Sequence, residues 1–339
     1  MTRSRRHALL ALLALALLAA LLAACGDDEG GTASSGEAPS AELILDWFPN
    51  ADHAGVYAAI REGFFERAGV RVTATVPSDP AASLKAVASG RAPFAISYEP
   101  EVLLARSQGI PVKAVGAIVT NPLNAVIARE DRGIARPRDL EGRTVGMAGL
   151  PSDRPLLDTV VRADGGDPSK VRTRVVGFTL GPALAAGRVD ALFGAYWNVE
   201  AVQIEQMGTP VRVFRLEDFG VPEYDELVVV TSVAFAAERP EVVRAFLDGL
   251  AQGQRWAVDN QAAAVEHLVT VNRELDRALA TEGVRLVAPL LVPADGPVLG
   301  VDPAAWASYA EWMRGEGLLE KPLDPADAVT DEFLPTGAG

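Results

Sequence analysis

Between residues 41 and 120 the chain alternates short apolar runs with stretches of helical period. Apolar runs of this length predict strands, and they occur at 43–45, 70–76, 94–96 and 111–119. Strands that alternate with helices are typical of a mostly parallel sheet with helices on both faces. In such a sheet the loops after the strands share one rim, which is where ligands usually bind.

The same order recurs later in the chain. Strands are predicted at 144–148, 171–176 and 191–194, again with helices between them. The sequence ASGRAPFAIS from Ala88 matches AAGRVDALFG from Ala185 in spacing and character, and both lead to an aromatic and acidic cluster. The repeat predicts an α/β protein of two similar lobes, each a mostly parallel sheet flanked by helices, with the ligand cleft between them. The alternative is a chance likeness between two unrelated α/β pieces.

One strand–loop–helix stretch, LILDWFPNADHAGVYAAIREGFF at 43–65, carries the first candidate site residues. Asp52 is predicted to cap the helix of this stretch. An apolar strand that delivers Trp47, Asn50 and His53 to a helix entrance is a common way to build a small-molecule site. The alternative is a core tryptophan beside an ordinary turn. Whether His53 contacts a ligand or only supports the helix entrance stays open at this point.

Aromatic and acidic residues follow later predicted strands and turns in the same way. The candidate ligand-binding set is Trp47, Asn50, His53, Tyr98, Glu99, Tyr196, Trp197, Glu200, Tyr224 and Glu226. Aromatic faces sandwich a flat ring, and carboxylates accept N–H groups or bind a cation. A site for sulfonate, nitrate or phosphate needs arginines or open backbone amides instead. The set favours a planar, amine-bearing ligand, although each carboxylate alone is equally consistent with a solvated surface group.

The first 24 residues have the pattern of a bacterial lipoprotein signal peptide, with a basic start and a Leu/Ala run that ends in LAAC. Cleavage there makes Cys25 the first residue and the site of lipidation, which anchors the protein to a membrane without spanning it. Residues 25–40 are rich in Gly, Ser, Asp and Glu and predict a flexible tether. A transmembrane anchor is the alternative, but the apolar run is short for one.

The composition excludes several classes of partner and of chemical site. The 339-residue chain has a formal net charge of −14 and lacks a basic stripe, which argues against nucleic acid as a partner. Cys25 is the only cysteine, so disulfides, cysteine-based metal sites and a cysteine nucleophile are excluded. The three histidines have no metal-ligand spacing, and phosphate-loop, dinucleotide and nucleophile-elbow motifs are absent. We therefore expect no metal and no cofactor.

The chain resembles the substrate-binding proteins of ABC importers, in the group similar to thiamine-pyrimidine synthases and pyrimidine-precursor binders. The pieces that carry the resemblance span nearly all of the chain after Cys25. The most specific are LDWFPNADHAGVYAAIREGFF, AYWNVE and VPEYDEL. The segments SGRAPFAISYEPE, LEGRTVGMAGLPSD and AGRVDALFG also match, but the L-G---G and GR-D patterns within them are shared by many importer proteins.

The resemblance implies two lobes joined by two crossing segments. One lobe would comprise residues 41–120 with 226–339, and the other, inserted, residues 121–225. The lobes would close around a thiamine precursor of the formylaminopyrimidine or hydroxymethylpyrimidine type. The resemblance also implies a monomeric, lipid-anchored protein on the extracytoplasmic side of the membrane that delivers its ligand to a permease and an ATPase. Riboflavin, a sulfonate or nitrate are the alternative ligands, since the same fold serves many solutes.

An enzyme is the remaining alternative. Eukaryotic relatives that make the pyrimidine use a lysine and a histidine after the first Gly-Arg/Lys strand, where this chain has Ser97 and Glu101. They also carry a cysteine-rich iron segment where this chain has VPEYDELVVV. Both departures predict a binding protein without catalytic residues.

Overall fold

The computed structural model describes residues 38–319, 321 and 323–335. The predicted signal peptide, the lipidation site Cys25 and most of the predicted tether lie outside these residues. Ser40, the last residue of the predicted tether, already belongs to the first strand. Within the described ranges, the structure contains no helix that is long and apolar enough to cross a membrane.

The described residues form two five-stranded sheets. In chain order the strands are β1 (Ser40–Ile44), β2 (Arg71–Thr75), β3 (Phe94–Ser97), β4 (Val112–Val119), β5 (Asn124–Arg129), β6 (Thr144–Met147), β7 (Arg172–Val175), β8 (Ala191–Tyr196), β9 (Val211–Arg215) and β10 (Leu227–Ser232). The first sheet has the order β2-β1-β3-β10-β4, and the second has the order β7-β6-β8-β5-β9. In each sheet four strands run parallel and one, β10 or β5, runs antiparallel to both of its neighbours.

The two sheets share one topology, which confirms the predicted two-lobed α/β fold. In each sheet the antiparallel strand arrives from the other sheet, because β5 follows β4 and β10 follows β9. The chain therefore passes between the sheets twice, at 120–123 and at 216–226. The sequence predicts both crossings, but it does not predict that the crossing strands enter antiparallel.

The two matched segments occupy equivalent places in the two sheets. Each is the end of a helix followed by the third strand in the sheet order, β3 or β8. Gly90 and Gly187 have φ angles of 71° and 67°. This left-handed conformation ends a helix tightly and is readily adopted by glycine. The shared Gly-Arg pattern therefore marks one local turn that is used twice.

Twelve helices flank the sheets within the described residues. They are α1 (Ala54–Arg61), α2 (Phe64–Ala68), α3 (Ala82–Ala88), α4 (Glu99–Ser107), α5 (Asp153–Ala163), α6 (Leu180–Ala185), α7 (Glu200–Gln206), α8 (Val233–Glu238), α9 (Pro240–Asp259), α10 (Gln261–Val271), α11 (Arg277–Leu291) and α12 (Pro303–Gly315). Helix α9 packs on the first sheet through Phe246, whose ring stacks on that of Phe94 with centroids 4.1 Å apart.

A close crossing with α9 holds α1, the helix that follows the loop after β1. Gly55 and Gly253 meet at this crossing. A Cβ added to Gly253 would touch the carbonyl oxygen of Gly55 and lie 2.6 Å from the Cβ of Ala59. Contacts this short leave no room for a side chain in a close-packed interior. Glycine therefore sets the distance between α1 and α9, and with it the position of the loop after β1.

We expect Gly253→Ala to lower the free energy of unfolding by about 1–3 kcal/mol, because the added methyl group must push two helices apart. Gly315→Ala is the matched control, since no atom lies within 4 Å of a Cβ added at that helical position. Alanine there should be neutral or stabilise by roughly 0.5–1 kcal/mol. Urea unfolding of the two variants measures both effects, and equal midpoints would contradict the close crossing.

Candidate functional site

The loop after β1 is closed by a capping box. The side-chain oxygen of Asn50 accepts the backbone N–H of Asp52 at 2.9 Å, and Nδ1 of His53 accepts the N–H of Asn50 at 3.2 Å. Asn50 is therefore the N-cap of the 3₁₀ turn Ala51–His53 that leads into α1. The prediction that Asp52 caps the helix is wrong, because the helical segment begins one residue before it.

His53 in turn holds a buried acid, Asp46. Because Nδ1 of His53 accepts a hydrogen bond, Nε2 carries a proton and donates to Oδ1 of Asp46 at 2.8 Å. The hydroxyl of Tyr98 donates to Oδ2 of the same carboxylate at 3.1 Å. Asp46 thus ties the loop after β1 to the end of β3, and both of its oxygens are in use.

The end of β8 brings a second acid to the same place. The backbone N–H of Tyr196 donates to Oε2 of Glu200 at 2.8 Å, at the start of α7. No side chain donates to Glu200 in the part of the chain that the structure describes. Asn124, at the start of β5, fixes the neighbouring strand, since its side-chain oxygen accepts the N–H of Gly194 at 3.0 Å.

Glu226 lies where the two crossings meet. Its Oε2 accepts the backbone N–H groups of Leu123 and Asn124 at 2.8 and 2.9 Å, and the hydroxyl of Tyr224 at 3.0 Å. Its Oε1 accepts the hydroxyl of Tyr196 at 3.2 Å. One buried carboxylate therefore joins the first crossing, the second crossing and the end of β8.

These side chains surround a cavity of about 30 Å³ between the two sheets. Six of the ten predicted site residues line it, namely Trp47, Asn50, Tyr98, Tyr196, Glu200 and Glu226. The rest of the lining consists of residues that the sequence analysis missed, namely Asp46, Asn124, Ala148, Leu150 and Gly194. The sequence offers a reason to consider two of these residues: Asp46 directly follows an apolar strand, and Asn124 lies in a predicted crossing.

Two of the other predicted residues support carboxylates from behind the cavity. His53 donates to Asp46, and the hydroxyl of Tyr224 donates to Glu226. Both side chains are buried and neither lines the cavity. In this structure His53 holds the helix entrance and the carboxylate of Asp46.

The last two predicted residues point away from the cavity. Trp197 donates its indole N–H to the carbonyl of Pro122 at 3.2 Å. Glu99 accepts the backbone N–H of Asp225 at 2.8 Å. Each follows a tyrosine that does line the cavity, Tyr98 or Tyr196. In each pair the chain leaves the strand direction after the tyrosine, and only the tyrosine lines the cavity.

The cavity is acidic and has no basic side chain in its lining. Asp46, Glu200 and Glu226 line it, whereas none of its lining residues is Arg or Lys. Burial raises the pKa of Glu200 and that of Glu226 to about 7, because the charged forms lose their hydration. Donor N–H groups or a positive charge would stabilise these carboxylates, and an anion would not. Across the described ranges, no group of three or more His, Cys, Asp or Glu side chains is arranged to hold a metal ion.

A wider groove of about 670 Å³ adjoins the cavity on the far side of Trp47. Trp47, Asn50 and Glu200 line both spaces. The ring of Trp47 meets that of Phe178, which follows β7 of the second sheet, edge-on with centroids 4.6 Å apart. The tryptophan therefore separates the cavity from the groove and contacts the opposite side of the cleft.

Replacement of Glu226 by alanine is expected to lower the free energy of unfolding by about 2–4 kcal/mol, since two buried backbone N–H groups lose their acceptor. Glu226→Gln keeps the size of the side chain and one acceptor oxygen for both N–H groups, so we expect a loss of about 1 kcal/mol or less. Urea unfolding at neutral pH compares the two variants. Equal losses would show that Glu226 does not join the crossings in this way.

Stability should fall as the pH rises from about 4 to about 7. Burial raises the pKa to about 7 for Asp52, Asp153, Glu200, Asp225 and Glu226, against ordinary values of 3.8 and 4.5. The folded protein therefore binds more protons than the unfolded chain in this window, and it loses stability until both states are ionised. Urea midpoints at a series of pH values measure the trend. A midpoint that rises between about pH 5 and about pH 7 would contradict the burial of these acids.

The chain matches the family model described as NMT1/THI5 like over residues 50–264. It is 37% identical to a formylaminopyrimidine-binding protein of Halalkalibacterium halodurans, over 94% of this chain and 97% of that protein. It is 29% identical to a riboflavin-binding protein of Chloroflexus aurantiacus, over 87% of this chain and 86% of that protein. Its structure is similar to that of the alkanesulfonate-binding protein of Xanthomonas axonopodis pv. citri, with a TM-score of 0.70 and 16% identity, over 87% of this chain and 99% of that one. The chain has the periplasmic-binding-protein fold and belongs to the NMT1/THI5-like family.

Proposed function

We propose that this protein is the solute-binding component of an ABC importer and that it captures a thiamine pyrimidine precursor of the formylaminopyrimidine or hydroxymethylpyrimidine type. The observation that carries the proposal is the cavity between the sheets, which offers aromatic rings and carboxylates but no Arg or Lys side chain. The similarity to a formylaminopyrimidine-binding protein over nearly the whole chain supports the same ligand class.

An aminopyrimidine is a flat ring with N–H donors, and the cavity has partners for both features. Trp47 and Tyr196 supply aromatic surface from the two sides of the cleft, against which a ring can stack. Asp46 and Glu226 already accept hydrogen bonds at both oxygens. Glu200 can accept further hydrogen bonds beyond that from the N–H of Tyr196. It is therefore the carboxylate that receives an N–H group of the ring.

Capture requires the cleft to open and close. A cavity of about 30 Å³ has room for about two water molecules and not for a heterocycle. The crossings at 120–123 and 216–226 act as the hinge, because the chain passes between the sheets there. The moving bodies are then residues 41–120 with 226–339, and residues 121–225.

The closed protein would present its ligand to a permease, with an ATPase supplying the transport energy. We place the protein outside the cytoplasm as a monomer that is held to the membrane by lipid on Cys25. The basic start, the Leu/Ala run and the LAAC sequence support this location.

Riboflavin is the second candidate ligand. The groove beyond Trp47 measures about 670 Å³, which gives room for part of a tricyclic ring. One relative of this chain is a riboflavin-binding protein. Sulfonate and nitrate fit the site less well, because both are anions and the lining carboxylates repel them.

The eukaryotic synthases have a lysine and a histidine where this chain has Ser97 and Glu101. These two positions give no support for the same catalysis in this chain. Neither Ser97 nor Glu101 lines the cavity. Glu101 instead accepts the backbone N–H of Ser152 at 2.9 Å. We therefore favour binding without chemical change of the ligand.

Formylaminopyrimidine and hydroxymethylpyrimidine are expected to raise the melting temperature in a saturable way, because a ligand that binds only the folded protein stabilises it. Trp47→Ala and Glu200→Ala should each raise the Kd about tenfold or more, through loss of a ring face or of a charge-assisted hydrogen bond. Glu238→Ala, which removes an exposed acid at the end of α8, is the control and should leave the Kd unchanged. Isothermal titration calorimetry gives the three values.

Three outcomes would change the proposal. A melting shift from taurine or nitrate, with none from the aminopyrimidines, would overturn the ligand class. A shift from riboflavin alone would favour the second candidate. Unchanged affinity in both the Trp47 and the Glu200 variants would remove these two side chains from the site.

A further inference from the structure

A hydrogen bond between two buried side chains crosses the cleft beside the cavity. Asp52 lies in the 3₁₀ turn after β1 of the first sheet, and Asn198 follows β8 of the second sheet. The side-chain amide of Asn198 donates to Oδ1 of Asp52 at 2.6 Å. Asp52 is 1% exposed and Asn198 is 0% exposed. Neither residue lines the cavity, so the contact has a role other than touching a ligand there.

Only one hydrogen bond joins the two side chains, and each has an oxygen that is left over. Oδ2 of Asp52 and Oδ1 of Asn198 are both buried, and neither has a hydrogen-bond partner among the described residues. A buried acceptor without a donor is costly. A carboxylic acid and a carboxamide can form two hydrogen bonds at once, from N–H to the carbonyl oxygen and from O–H to the amide oxygen. The two unpartnered oxygens are the atoms that the second bond would join.

We propose that Asp52 and Asn198 form a proton-binding pair that holds the cleft closed. As the cleft closes, Asp52 takes up one proton from solvent on Oδ2, and the acid donates it to Oδ1 of Asn198. This inference rests on the cleft closure of the proposed function. Asp52 is then a positioning residue, because it acts through the loop that carries Trp47 and Asn50.

The groups around Asp52 favour the neutral acid. Burial raises the pKa of Asp52 to about 7, the nearby acids Asp46 and Glu226 add to the rise, and the Asn198 hydrogen bond and His53 oppose it. Helices α1, α10 and α11 pack against the 3₁₀ turn, and Arg61, the charged residue of α1, is exposed. The charged side chains of α10 and α11 are paired at the surface, as Arg277 with Glu266, Glu282 with Arg285, and His267 with Glu62.

Proton uptake makes closure depend on pH. In an open cleft Asp52 is hydrated and has its ordinary pKa near 4. In the closed cleft burial raises the pKa to about 7. The closed form binds more protons between these values, so closure weakens as the pH rises through this window. The two pKa values correspond to a loss of affinity of about tenfold between about pH 6 and about pH 8 that is due to Asp52 alone.

Asp52→Asn tests the proposal, because asparagine has the shape of the neutral acid and donates to Asn198 at every pH. The probe is hydroxymethylpyrimidine, titrated by calorimetry at about pH 6 and about pH 8. The ratio of wild-type to variant affinity should fall about tenfold between these values, and the titration of acids that do not interact with Asp52 cancels in this ratio. Asp331→Asn, at an exposed acid outside the crossings and the cavity, is the control and should give a constant ratio. A ratio for Asp52→Asn that stays within about twofold would overturn the proton-binding pair.

Urea unfolding without ligand gives an independent readout. The stability of Asp52→Asn relative to the wild type should rise from about pH 5 to about pH 8, because the folded wild type must hold a proton that its unfolded chain loses above about pH 4, and the variant holds no such proton. A variant that differs from the wild type by the same amount at both pH values would overturn the proposal. If the probe does not bind at all, the proposed ligand class fails, and the unfolding comparison still decides whether the pair binds a proton.

Discussion

The buried carboxylate of Glu226 holds together the part of the molecule that positions the site. Buried backbone N–H groups must find an acceptor, and at the first crossing those of Leu123 and Asn124 find it in this one side chain. The same carboxylate accepts the hydroxyl of Tyr196, which lines the cavity at the end of β8. Glu226 itself stands at the end of the second crossing. The two crossings and the wall of the cavity are therefore joined by a single group.

The second constraint on the site is electrostatic. Acids line the cavity and lie beside it, and no basic side chain occurs in the cavity lining. A buried carboxylate without a cation must gain hydrogen bonds or a proton. Asp46 and Glu226 receive hydrogen bonds from the protein, whereas Glu200 and Asp52 retain unused acceptor capacity. The amine-bearing ring that we propose for Glu200 and the solvent proton that we propose for Asp52 would each supply a missing hydrogen-bond donor.

Much of this organisation can be predicted from the sequence, because it depends on local patterns. Apolar runs and the two Gly-Arg segments indicate two similar sheets, and residues just after strand ends lie at the rim in both. The antiparallel entry of β5 and β10 is different, since pairing with distant strands decides it. Side-chain direction is also hidden from a pattern of residue types. Asp46 was missed because its role depends on a partner 52 residues away in sequence, Tyr98.

A crystal structure of the protein grown with formylaminopyrimidine tests the proposed site most directly. We expect the ring to lie between the two sheets against the indole of Trp47, with one of its N–H groups within hydrogen-bond distance of Glu200 and with Asp52 and Asn198 in contact. A ring that occupies only the outer groove, or that contacts neither Trp47 nor Glu200, would contradict the assignment of this cavity as the binding site.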